Sequence, residues 1–150
     1  MPMASIFDIA GSAMTAQSIR LNTTASNIAN AQSASSSVAD TYRGRHPVFA
    51  SMHGQALQSS DNYWNNTFFN DQSESAGVRV LGIVESDAPL QKRFEPQHPL
   101  ADDQGYVNYP NVDIVEEMAN MISASRAFQI NVEVMNSAKQ MVQRALTMGQ

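Results

Sequence analysis

The chain has 150 residues, a formal net charge of −5 and no cysteine. That length suits one domain, or one domain with an appendage, and the acidic balance leaves no electrostatic footprint for nucleic acid or anionic lipid. The absence of cysteine removes disulfides, thiolate nucleophiles and cysteine-based zinc sites.

Only 15% of the residues are charged, and Ser, Asn, Gln and Thr take their place. The usual share is about a quarter, so this composition favours contact with other protein over solvation. No stretch approaches eighteen uncharged apolar residues, and no membrane span is expected. The first residues, Met1 to Asp8, lack a basic segment and carry an acid where a signal peptide is apolar, so a cleaved signal is not expected.

In chain order, Ser5 to Ala31 reads as a helix. Phe7, Met14, Leu21 and Ile28 recur every seven positions, flanked by Ala10, Ala13, Ala25 and Ala31. Ser5 is a candidate N-cap, with Asp8 as a first-turn acid. Only Asp8 and Arg20 are charged before Asp40, so the back of this helix offers Ser, Thr, Gln and Asn. The segment Asn22 to Asn30 is a poor helix by intrinsic propensity and is expected to order against partners.

Gln32 to Asp40 is aperiodic and rich in Ser and Ala, which reads as a loop. Tyr42 to Met52 is a candidate strand interrupted by Pro47. Gly54 to Ala76 is rich in amides and serine and encloses Tyr63, Trp64, Phe68 and Phe69, which fits a projecting hairpin or a loop. Gly77 to Glu85 is β-branched and is the best strand of the middle. Leu90 to Phe94 is a further strand candidate, and Gly105 to Tyr109 is a short extended piece.

The final helix is the surest element. After Pro110 no proline follows, and Ile114, Met121, Phe128, Met135 and Val142 recur every seven residues. A second row stands four residues after each: Met118, Ser125, Val132, Lys139 and Leu146. Two rows at this spacing over about five heptads describe a coiled-coil seam. From Asp113 to Met148 the rod would be roughly 54 Å long at 1.5 Å per residue. Asp113, with Glu116 three residues on, fits a capping box, and Asn111 is the competing cap.

These patterns predict a mainly α chain with a small β-rich middle. The terminal helices, within 1–35 and 110–150, pair as a coiled coil and form one assembly domain, and 36–109 form the β-rich insertion. A helix with one narrow apolar stripe owes most of its stability to packing. The conservative reading is a soluble helical hairpin that binds other proteins. The preferred reading is that both termini pair with each other and with neighbouring copies, because two helices alone offer too little surface to bury both seams. The expected interface comprises Phe7, Met14, Leu21, Asn27, Ile28, Asn30, Ile114, Met118, Met121, Phe128, Val132, Met135, Val142 and Leu146.

Catalytic patterns are weak. His46, His53 and His98 share no ligand spacing, and Asp102-Asp103 reads as a polar turn before Gly105. Gly77 and Gly82 frame a strand and lack the Lys and Ser/Thr of a phosphate loop. The sequence points to no enzyme, no cofactor and no metal.

Leu21 to Ala31, read Leu-Asn-Thr-Thr-Ala-Ser-Asn-Ile-Ala-Asn-Ala, resembles the signature near the start of bacterial flagellar axial proteins. Leu100 to Asp113, together with Glu117-Met118, Ser123 to Gln129 and Asn131, resembles the basal-body rod family, in its proximal FlgC type. The likeness covers both ends and returns weakly in Tyr42 to Phe49 and Gly77 to Pro89; the length also fits a proximal rod protein. It implies a structural subunit exported unfolded through the flagellar type III apparatus without signal cleavage. It also implies a subunit that polymerises helically with itself and other rod subunits into the drive shaft, and so serves flagellum-dependent motility. The MS ring and an export gate or adaptor are the partners implied at the rod base.

Overall fold

The computed structural model describes residues 3–53 and 75–148. Two long helices, α1 (Met3–Asn30) and α2 (Ile114–Met148), enclose four strands: β1 (Arg45–His53), β2 (Ser75–Glu85), β3 (Gln91–Phe94) and β4 (Tyr106–Tyr109). The expected mainly helical chain with a β-rich middle is therefore present. The middle consists of two separate antiparallel pairs, β1–β2 and β3–β4. The amide-rich stretch expected as a hairpin or loop lies almost wholly outside the described residues.

The helices run antiparallel. Gly44, just before β1, donates its N–H to Asn111 Oδ1 at the threshold of α2, at 2.8 Å. Asn27 of α1 binds the neighbouring residue Arg45. Seven residues back along α1, Arg20 donates to Asn120 Oδ1, nine residues on from Asn111, at 2.8 Å. As α1 is followed backward, α2 is followed forward.

α1 is helical through Asn30 despite the poor propensity of 22–30. Its polar side chains are satisfied locally: Thr23 Oγ1 donates to the Ile19 carbonyl at 2.9 Å, and Asn30 Nδ2 to the Ser26 carbonyl at 2.8 Å. Such back-bonding lets hydroxyls and amides lie in a helix without unpaired donors. The expected cap at Ser5 is corrected, because α1 begins at Met3 and Ser5 stands inside its first turn.

At α2 the cap is Asp113. Its Oδ1 accepts from the Val115 N–H at 2.8 Å and the Glu116 N–H at 3.4 Å, satisfying orphan donors of the first turn. Asn111, the competing cap, works elsewhere. Its Nδ2 donates to the Ala88 carbonyl at 2.9 Å and the Ser86 carbonyl at 3.2 Å. One side chain thus ties the loop after β2 to the base of α2.

Pro47 does not interrupt β1, which pairs with β2 from Arg45↔Glu85 to His53↔Ser75, with irregularities at Val48/Phe49 and Met52/His53. Pro47 stands opposite Ile83. A proline has no N–H, so it fits only a ladder position where the nitrogen faces away from the partner strand. β2 docks onto α1 at Gly77, whose φ is +121° and where a Cβ would collide with Ser12 Oγ. That hydroxyl accepts from the Val78 N–H at 3.2 Å and donates to the Ile9 carbonyl at 2.8 Å.

The second pair closes through a polar turn. Asp102 Oδ1 accepts from the N–H groups of Gln104 and Tyr106 at 2.9 and 2.8 Å, and Gly105 takes φ +81°. β4 is covered on its other edge by a bridge from Ser35 to Asn108, and its Val107 is fully buried. Desolvation, followed by a hydrogen bond to Glu95, raises the Tyr109 hydroxyl above its ordinary pKa.

Candidate assembly surface

The buried positions of the two helices are mostly small side chains, with Asn27 and Glu117 as the larger exceptions. On α1 the buried residues are Ala10, Ala16, Thr23, Thr24 and Asn27; on α2 they are Glu117, Ala124 and Ala138. Small side chains allow close approach of two helix backbones, while the larger apolar residues are left at the margins. Phe7, Met14, Leu21 and Ile28 are accordingly only partly buried, as are Ile114, Met121, Phe128, Met135 and Val142.

The second α2 row differs from the expected one. The inward row stands three residues after the first, at Glu117, Ala124, Asn131 and Ala138. The expected row, four residues after, points largely away: Met118 is 53% exposed and Leu146 69%. Val132 is partly buried. The signal was present in Ala124 and Ala138, which share a heptad position, but a search for large apolar residues passes over alanine.

Asn27 and Asn30 have different roles. Asn27, fully buried, is the hub of the junction: Oδ1 accepts from the Tyr42 hydroxyl at 2.8 Å and the Arg45 N–H at 3.0 Å, and Nδ2 donates to the Arg45 carbonyl at 2.8 Å. The Asn30 side chain donates within its own helix, to the Ser26 carbonyl.

The outer side of α2 carries large apolar residues at intervals along its length, among polar and charged ones such as Glu116, Arg126, Glu133 and Lys139. Val115, Met118, Ile122, Ile130, Val134, Met141 and Leu146 are all exposed. Beyond Ala138, every α2 residue through Thr147 except Val142 is exposed. In the antiparallel offset defined by Arg20 and Asn120, α1 begins opposite this point, so the last turns of α2 project past it. On the hairpins, Phe49, Leu81, Ile83, Val84 and Phe94 are also exposed.

Titratable groups do not converge. Among the described residues no three His, Asp or Glu side chains form a metal-binding group. An open cleft of about 950 Å³ beside the 33–45 segment is lined by Ser, Thr and Ala together with Asp40, Arg43, Arg45 and Glu85. Its Arg45 and Glu85 pair with each other at 2.9 Å.

Residues 7–32 match the family described as flagella basal body rod protein, and residues 103–148 match the flagellar basal body rod FlgEFG protein C-terminal family. Over its full length the chain is 45% identical to the flagellar basal-body rod protein FlgC of Salmonella typhimurium, all of which is covered.

The chain belongs to the FlgC family of flagellar basal-body rod proteins.

FlgC of Yersinia enterocolitica is likewise 45% identical with full coverage of both chains. FlgC of Borreliella burgdorferi is 36% identical, with 97% of each chain covered. The two family segments coincide with α1 and with β4 plus α2, the elements that carry the small-residue seam and the open apolar side. As a FlgC-family member the chain is a structural subunit of the basal-body rod, not an enzyme, and assembles with other rod components. No helix among the described residues is long and apolar enough to cross a membrane.

Proposed function

We propose that this subunit polymerises helically through its terminal helices into the drive shaft that carries torque from the motor to the hook. The observation that supports this reading is the outer side of α2. Seven large apolar residues stand in water on a helix whose inner side is already packed. Each contributes about 1.5–3 kcal/mol when fully buried. On a lone subunit that stabilisation is forgone, and within a lattice of copies it is gained.

The terminal segments 1–35 and 110–150 act in this reading as one assembly unit whose helices pair as a coiled coil, and 36–109 form a separate outer part. The interface comprises the two heptad rows named from the sequence, widened by the exposed residues of α2. At the rod base the neighbours are the MS ring and the export gate or adaptor. The chain is made in the cytoplasm and leaves through the flagellar type III apparatus without signal cleavage.

Two substitutions test the reading. Ile122→Asp places a charge on the open side, at a residue 55% exposed, where the free subunit loses little. It is expected to leave the purified chain as stable as the parent while basal bodies lack the distal structures and cells do not swim. Ala124→Asp, on the packed side, is expected to destabilise the chain itself. Normal swimming with Ile122→Asp would remove the open side of α2 from the assembly surface.

A further inference from the structure

The seam between the helices raises a problem of alignment. Its fully buried apolar members are alanines, Ala10 on α1 and Ala124 and Ala138 on α2. These small residues have no large knob to lock into one hole, so the buried row by itself discriminates weakly between registers. The partly buried rows and the Asn27–Arg45 and Gly44–Asn111 bonds at one end add to that discrimination. Among the described residues, one side-chain hydrogen bond joins α1 to α2, from Arg20 Nη2 to Asn120 Oδ1 at 2.8 Å.

The surroundings of that bond are unusually polar for a helix interface. Glu117 lies three residues before Asn120 and is 5% exposed, with no ion pair among the described residues. Gln17 lies three residues before Arg20, and its buried Oε1 has no hydrogen-bond partner among the described residues. A contact selected for stability alone would carry apolar side chains there. Polar groups in a helical seam are best attested as devices that select one register at a cost in stability.

We propose that Arg20 and Asn120 are positioning residues that fix the axial offset of α1 against α2. Shifting the helices by one heptad faces Arg20 with Ala127 or Asp113 and leaves Asn120 opposite Ala13 or Asn27. The offset decides how far the last turns of α2 stand clear of α1. It therefore sets where the open apolar side is presented to a neighbour. This last consequence rests on the polymer reading above; the alignment of the two helices does not.

The absence of cysteine allows a direct test in the purified full chain. The pair Ala13→Cys with Ala127→Cys is aligned in the observed offset, and Ala13→Cys with Val134→Cys is aligned after a slip of one heptad. With Arg20 and Asn120 intact, the first pair is expected to form its disulfide under mild oxidation in preference to the second by about tenfold or more, the bias of one charge-assisted hydrogen bond. In the Arg20→Met, Asn120→Leu background that preference is expected to fall toward parity while helix content and Tm hold or rise, and swimming is lost. Arg20→Lys, which keeps a cationic donor, is expected to restore most of the preference. An unchanged preference in the apolar background would overturn the proposal. Loss of helix there would overturn it equally, since the pair would then hold the fold and not the register. If the preference collapses but swimming persists, the positioning role stands and the polymer reading fails.

Discussion

The side-chain amide of Asn27 pairs with the backbone of Arg45 as one strand residue pairs with another. Nδ2 donates to the Arg45 carbonyl at 2.8 Å, and Oδ1 accepts from the Arg45 N–H at 3.0 Å. A helix side chain thereby supplies the first residue of β1 with both of its ladder bonds. The Tyr42 hydroxyl adds a third contact at 2.8 Å.

Replacing Asn27 tests this junction. Asn27→Asp removes the donor and sets a carboxylate against the Arg45 carbonyl; Asn27→Leu leaves the Arg45 N–H and C=O both unpaired. Either change is expected to cost roughly 3 kcal/mol, since each orphaned buried polar group costs about 1–3 kcal/mol. The check is the urea midpoint of the purified chain. A midpoint within error of the parent would show that the junction is dispensable.

Gly77 tests the dock between β2 and α1. At φ +121° any side chain is strained, and its Cβ would meet Ser12 Oγ. Gly77→Ala is expected to lower stability by about 1–3 kcal/mol. Adding Ser12→Gly relieves the collision but not the backbone strain, so rescue is expected to be partial. Full rescue would assign the whole effect to the collision.

Asp113 is the measure of the α2 start. Asp113→Ala removes the acceptor for the Val115 and Glu116 N–H groups and is expected to cost about 1 kcal/mol. Asp113→Asn keeps a side-chain oxygen and is expected to recover most of that loss. The readout is thermal unfolding followed by circular dichroism at the helical band.

Leu146, at 69% exposure near the end of α2, separates folding from assembly. Leu146→Asp is expected to change the stability of the isolated chain by less than about 0.5 kcal/mol, as for other open surface sites. In cells the same change is expected to reduce swimming and the yield of complete basal bodies. An effect on the isolated chain alone would reverse this assignment.

Much of this architecture could be read from residue periodicity. The seven-residue spacing of Ile114, Met121, Phe128, Met135 and Val142, with the cap at Asp113, placed α2 within a residue of its observed start. The β-branched run after Gly77 located β2. The inward rows were less legible, because burial follows closeness of approach as well as size. Ala124 is fully buried while Met118 lies half in water. Asn111 stood as the competing cap beside Asp113 for a related reason. An amide before a helix is an ordinary cap by local rules, and its bonds to the Ser86 and Ala88 carbonyls depend on a loop 23 to 25 residues away in the chain.

The exposed apolar residues along α2 have a consequence in time as well as in space. Side chains of this kind, repeated at intervals on every copy, invite sister molecules to associate wherever they meet in quantity. On the assembly reading proposed above, newly made chains have to be kept apart, or this helix kept from forming, until each joins its neighbours. Safe delivery is as much a requirement of this surface as a tight final joint.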